Sequence, residues 1–258
     1  MRARSTLFTL YSELVFPQDT VWVGRLVEWM ELLGFSEPAV RAAVSRSAAR
    51  GWILPQRRGR YAYYKLSPRV FWQVQQVRRR LGDKACRQWD GRWRLLVYAV
   101  PEGMRSQRDK FRNELVMLGY GTPAPGIWLS PCAEQQATRE LISFYQLEPY
   151  VELFSAERVG DEPPQRLVNK AFKLAEAKVR YRQLQRRIGS LPANPSAEEA
   201  FAQLIQLIHE ARKILFFDPG LPPQLAPPGF DGAATLSRFS EARERLRLAA
   251  GKLVNASS

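Results

Sequence analysis

Residues 36–52 read Ser36-Glu37-Pro38-Ala39-Val40-Arg41-Ala42-Ala43-Val44-Ser45-Arg46-Ser47-Ala48-Ala49-Arg50-Gly51-Trp52. Ser36 stands where a helix cap is expected, with Glu37 and Pro38 in the first turn. Val40, Val44 and Ala48 recur at helical spacing as an inward face, and Gly51 ends the run. Arg41, Ala42, Ser45, Arg46 and Ala49 fall away from that face. Upstream, Trp22, Leu26, Trp29 and Leu33 mark a helix over Val21–Leu33, capped by Asp19 or Thr20 and closed by Gly34. Two short helices joined by a glycine-containing turn form a helix-turn-helix.

Downstream, Trp52-Ile53-Leu54 and Tyr61-Ala62-Tyr63-Tyr64-Lys65-Leu66 are rich in strand formers, and Gln56-Arg57-Arg58-Gly59-Arg60 lies between them. The glycine suits a tight hairpin turn. Helix, turn, helix and hairpin together predict a winged helix whose tip is basic. Arg41 and Arg46 can pair with guanine, Ser45 with bases or phosphates, and Arg57, Arg58 and Arg60 with the duplex backbone or minor groove. The competing readings are a solvated helix face and a winged helix that docks protein. Ser67-Pro68 opens a further helix with Val70, Phe71, Val74, Val77 and Leu81 as its buried stripe. Its Arg78-Arg79-Arg80 run reads as a solvated face or an added backbone contact. Gly82 ends it, and Lys84 to Asp90 reads as a link.

The whole chain has 258 residues, 45% of them hydrophobic, and a net charge of +14. That length predicts two or three domains with real cores. The excess is +6 over residues 1–70, +4 over 71–88, −3 over 89–164 and +7 over 165–258. An acidic middle between basic ends argues for separate modules at 1–88, 89–164 and 165–258. Basic ends make a polyanion the first partner to expect, nucleic acid ahead of a membrane surface. Cys86, Cys132 and the single His209 cannot build a zinc site or a disulfide framework, which fits a reducing, cytoplasmic setting. The opening Leu7-Phe8-Thr9-Leu10 resembles a secretory signal only faintly, since Glu13 interrupts it and no cleavage site follows. No stretch reads as a membrane span.

In the middle module Arg94–Val100 reads as a buried strand. Ser106 and Asp109 form a capping box before Phe111, Leu115 and Leu118, and Gly119 ends that helix. Gly126–Leu129 is a short strand, Ser130-Pro131 opens a helix with Ala137, Leu141 and Tyr145, and Tyr150–Ala156 is a strand. This β-α-β-α-β order predicts a ferredoxin-like α/β sandwich, suited to dimerisation. A nuclease built on it would need converging carboxylates for a metal. Only Glu102 follows the first strand, so no catalytic residue, metal or enzyme activity is expected.

The last module reads as helices: a long one over Arg166–Ile188, a second opened by the Ser196/Glu199 capping box, and a third over Ala233–Lys252. Between the last two lies a proline-rich segment beginning Phe216-Phe217-Asp218-Pro219. His209 and Arg212 sit one turn apart just before it. Either they pin that segment, or His209, Arg212, Lys213, Phe217 and Asp218 form a site for an acidic ligand with an apolar group.

Taken together, these stretches resemble the PaaX-type repressors of phenylacetic acid degradation genes. The likeness is carried by Ala3–Tyr11, Glu37–Arg46 with Gly51-Trp52, Tyr63–Ser67, Trp89–Trp93, His209–Arg212 and Asp218–Pro222. It implies an α+β multidomain homodimer: a winged helix-turn-helix, a Cas2-like middle domain and a helical C-terminal domain. It further implies release from double-stranded operator DNA by an acyl-CoA effector such as phenylacetyl-CoA. Arg41, Ser45 and Arg46 would read bases, and Arg57, Arg58 and Arg60 would serve the wing. Phe230 stands where the family is expected to carry Trp. A Cas2-type metal nuclease and a non-specific nucleic-acid or protein scaffold are the alternatives.

Overall fold

The computed structural model describes residues 1–18, 20–82 and 88–255. Asp19 as a helix cap, Cys86, and Lys84 to Arg87 of the expected link lie outside them. The chain forms two compact units: Met1–Arg79 with Leu184–Arg212 and Leu236–Ser258, and Arg80–Gln183 with Lys213–Thr235.

The first unit opens with α1 (Ala3–Leu10), which runs into a π-helical turn at Tyr11–Val15. Then come β1 (Thr20–Trp22), α2 (Val23–Glu31), α3 (Glu37–Ala49), β2 (Ile53–Arg58), β3 (Tyr61–Leu66) and most of α4 (Pro68–Leu81). The end of α8 (Leu174–Gly189) and most of α9 (Ala197–Ile214) and α10 (Gly232–Ala250) complete it. Thr20-Val21-Trp22 corrects the helix expected from Val21. These β-branched and aromatic residues instead pair antiparallel with β3, Val21 opposite Tyr64 and Trp22 opposite Tyr63. The sheet order is β1-β3-β2. α1 and α2 both pack on α3, whose inward residues are Val40, Ala43, Val44 and Ser47, with Ala48 only half-buried.

Leu7 and Leu10 of α1 are buried, so the apolar opening is core. Glu13 is buried too, and Arg243 grips its carboxylate with bonds of 2.7 to 3.0 Å. Arg78 adds a bond to the Ser12 carbonyl. Desolvation lowers the Arg78 pKa, against the pull of Glu13. Trp29 donates its indole N–H to the Leu253 carbonyl at 2.8 Å. The Ser196/Glu199 capping box forms as expected, both bonds at 3.2 Å.

The second unit holds β4 (Trp93–Tyr98), α5 (Arg105–Met117), β5 (Gly121–Ala124), β6 (Ile127–Ser130), α6 (Gln135–Phe144), β7 (Val151–Ala156) and α7 (Pro164–Ala171). Its sheet is antiparallel in the order β5-β6-β4-β7. β5 was not expected. It adds the strand that turns β-α-β-α-β into the full β-α-β-β-α-β sandwich. Pro123 is tolerated because β5 is an edge strand. On one face Leu96 lies opposite Trp128, and Tyr98 meets Phe111 of α5 edge-on. On the other, Trp93 and Leu129 pack with Val168 and Ala171 of α7, Phe172 and Leu225.

Three further expectations are corrected in this unit. Ser106 and Asp109 make no capping box, because α5 already starts at Arg105 with Met104 at its cap position. Ser130 bonds the N–H groups of Cys132 and Ala133, a local turn, and α6 begins later at Gln135. The helix expected over Arg166–Ile188 is two, broken at Phe172, whose backbone is extended. The break sets the Phe172 ring against Gly121, where a Cβ would come within 2.4 Å of it. Cys132 is disulfide-bonded, a correction to the expectation that the cysteines build no disulfide framework.

The Arg78–Arg80 run is not simply a solvated face. Arg80 donates to the carbonyls of Met117 at 2.9 Å, Leu215 at 3.3 Å and Val116 at 3.4 Å, and also to that of Asp218. Burial lowers its pKa, opposed by Asp218. Arg80→Ala removes this donor from the carbonyls of Met117, Leu215 and Asp218, while that of Val116 keeps the Gly119 N–H at 2.9 Å, and should reduce the free energy of unfolding by about 3 kcal/mol. Arg80→Lys should recover only part of this, because an ammonium lacks the planar fork. Urea unfolding of the full chain followed by circular dichroism reads both values.

Candidate functional site

Two places in the fold gather side chains that packing does not consume. The first is the outer face of α3 with the β2–β3 hairpin. Because Val40, Ala43, Val44 and Ser47 face inward, Arg41, Ser45, Arg46 and Arg50 are exposed. Arg41 is drawn back to Glu37, one turn earlier, at 2.7 Å. Both side chains are open to solvent, so the tie is weak. Small Ala42 and Ala49 flank these residues, leaving the helix backbone approachable.

In the hairpin, Arg58 pairs with Tyr61 across a two-residue turn of Gly59 and Arg60. Gly59 takes φ +60°, which the favoured hairpin turns need. Arg57, Arg58 and Arg60 are all exposed. The Arg58 guanidinium lies 5.0 Å from the Tyr63 ring centre, and that of Arg60 lies 5.1 Å from Tyr61. Such stacking holds the cations in place without neutralising them.

The second place is a hollow of about 490 Å³ within the second unit. Its walls come from α5, the start of β5, Trp128, Ala171–Lys173 and Phe216–Pro219. Of the ligand residues expected from sequence, Phe217 and Asp218 line it. Asp218 is buried, accepts the Tyr181 hydroxyl at 2.7 Å and receives the Gly220 N–H at 3.0 Å. The Tyr181 hydroxyl is pushed well above its ordinary pKa by burial, with the Asp218 charge adding to the effect. Arg180 sits 5.4 Å from the Phe217 ring centre, and Lys213 is half-exposed.

His209 and Arg212 belong to the first unit and meet α1. His209 is buried, with Nδ1 3.3 Å from the Thr9 hydroxyl. Arg212 donates to the Ser5 carbonyl at 2.9 Å and stacks 4.9 Å from the Phe8 ring centre. Burial brings its pKa down to about 10, against Glu210. Residues of the hollow that sequence reasoning missed include Arg112, Trp128, Phe172 and Lys173. Their one signal was the break after Ala171, hidden inside an apparently continuous helical period.

Glu102, the one carboxylate weighed for metal chemistry, is exposed and bridged to Arg108 at 2.9 Å and Arg105 at 3.4 Å. Among the described residues no group of three or more His, Cys, Asp or Glu could hold a metal ion. No helix among them is long and apolar enough to cross a membrane.

Residues 2–70 match the family model of the PaaX-like protein, 86–168 that of the PaaX protein central Cas2-like domain, and 172–256 that of the PaaX-like protein C-terminal domain. The chain is 27% identical over 240 residues to the transcriptional repressor PaaX of Escherichia coli (strain K12), covering 88% of this chain and 75% of that protein. In fold it resembles an uncharacterized protein of Mycobacterium tuberculosis, with a TM-score of 0.56 and 19% identity over 97% of this chain and 98% of the other. The middle of the chain is a Cas2-like domain. Since three consecutive models of one family account for nearly the whole length, the chain belongs to the PaaX-like family.

Proposed function

We propose that this chain is a homodimeric, sequence-specific DNA-binding repressor of aromatic, phenylacetate-type catabolism genes. It acts in the cytoplasm and leaves its operator when an aryl-CoA thioester binds. In this reading α2, α3 and the β2–β3 hairpin make a winged helix-turn-helix, with α3 as the reading helix, and α8–α10 make the helical C-terminal domain. The observation that carries it is the set of exposed arginines on α3 and at the hairpin tip, backed by a buried Val40/Val44 face. The curated relative bears the name of a transcriptional repressor, which agrees. The nuclease alternative would need Glu102 released from its surface bridges to Arg105 and Arg108.

Two copies of α3 would enter successive major grooves roughly 34 Å apart on a palindromic site. Arg41, Ser45 and Arg46 would read base edges, while Arg57, Arg58 and Arg60 would bind backbone phosphates or the minor groove. The effector acts by population shift. Binding one dimer geometry better by a few kcal/mol is enough to empty the operator.

Gel-shift titration against DNA flanking the protein's own gene, beside scrambled competitors, tests the central claim; no preference for any flanking segment would overturn it. About three phosphate contacts per protomer give a slope of log affinity against log salt near −5, roughly. An affinity indifferent to salt would remove the phosphate contacts from the account. Arg41→Ala should relax discrimination at one base position by about 1–3 kcal/mol, whereas Arg58→Ala should weaken all sequences alike. Binding-site selection on both variants separates these outcomes.

A further inference from the structure

The hollow in the second unit is amphipathic. Its floor is apolar, with Trp128 and Phe172 buried and Phe217 beside them. Its mouth carries Arg112 and Lys173, both exposed, neither side chain engaged by an acidic partner among the described residues. Asp109, also at the mouth, lies 4.0 Å from Arg105. Phe216 stands at the rim 52% exposed.

Apolar floor and cationic mouth select a molecule with an apolar end and a separate anionic end. We propose that this hollow is the effector site, taking an aryl-CoA thioester acyl group first. The aryl ring lies against Phe172 and Phe217, and phosphates of the nucleotide end meet Arg112 and Lys173. This rests on the effector reading above and adds the place. The volume lies within the range of small-molecule sites. It accommodates the acyl group and adjoining arm of a thioester and leaves the nucleotide outside. A free arylacetate fits less well. Its carboxylate, a short step from the ring, would lie near Asp218 and away from both cations.

The site is placed by a constraint already described. Phe172 can line the floor because the helical run breaks there and Gly121 offers no Cβ to its ring. The opposite wall, Val116 and Asp218, is fixed through its carbonyls to Arg80. The ligand therefore meets a preformed cavity.

Calorimetric titration of the full chain with phenylacetyl-CoA, coenzyme A and phenylacetate as separate probes tests the assignment. The thioester should bind tightest, coenzyme A weakly and phenylacetate not measurably. Reversing both cations, Arg112→Glu with Lys173→Glu, should weaken the thioester at least about tenfold. Filling the mouth without changing charge, by Thr122→Trp, should weaken it by about tenfold as well. Circular dichroism confirms that each variant is folded. Wild-type affinity in both variants would overturn the site and leave the effector reading standing, with the thioester bound elsewhere. Failure of the wild type to bind any thioester would overturn site and reading together. Phenylacetate binding as tightly as the thioester would overturn the assignment of the cationic mouth.

Discussion

The second unit depends on how one guanidinium is satisfied. α5 ends at Met117 and α9 at Ile214, and each helix end leaves carbonyls without an intrahelical donor. Arg80 supplies N–H groups to carbonyls at both ends and to Asp218 beyond them. The negative ends of two helix dipoles favour a cation there, which offsets part of its desolvation. Asp218 in turn holds Tyr181 and the turn at Gly220 through its carboxylate. A proline-rich segment with no regular structure is thereby fixed in place. Without that anchor neither the wall of the hollow nor the seat of Phe217 would be defined.

The same residue type does opposite work elsewhere. Arg78, Arg212 and Arg243 are committed to carbonyls or a buried carboxylate inside the first unit. Arg46 and the hairpin arginines remain open to solvent. A net charge of +14 therefore overstates what is offered to a polyanion. Only the cations that the fold leaves open to solvent, those of α3 and the hairpin among them, can meet one.

Much of the architecture was legible because local rules and tertiary packing agree. α3 shows this in its Val40/Val44 spacing, and α9 in the reciprocal bonds of Ser196 and Glu199. Misreadings arose where a partner distant in sequence decides the outcome. Trp22 sits at helical spacing from Leu26, yet pairing with Tyr63 makes it a strand residue. Gly121-Thr122-Pro123-Ala124 carries two strand-breaking residues and still pairs, since an edge strand has a free side. The helix expected over Arg166–Ile188 runs unbroken through Phe172 in sequence, but the space above Gly121 takes its ring. The exposed arginines were legible as a surface. The hollow was not, because its lining comes from five separate stretches of chain that only the fold brings together.

The third strand under the hairpin stops early. β1 supports β3 only from Lys65 to Tyr63, so the pairs closer to the turn have β2 as their sole neighbour. At about 3.3 Å per residue the unsupported part is a cantilever roughly 10 Å long, clamped at its root. Trp22, edge-on to Tyr61 at 5.7 Å, acts as a strut beneath it. Such a beam bends at its free end while its base keeps register. In the proposed DNA-binding reading, the tip would follow differences in groove width between binding sites without disturbing α3.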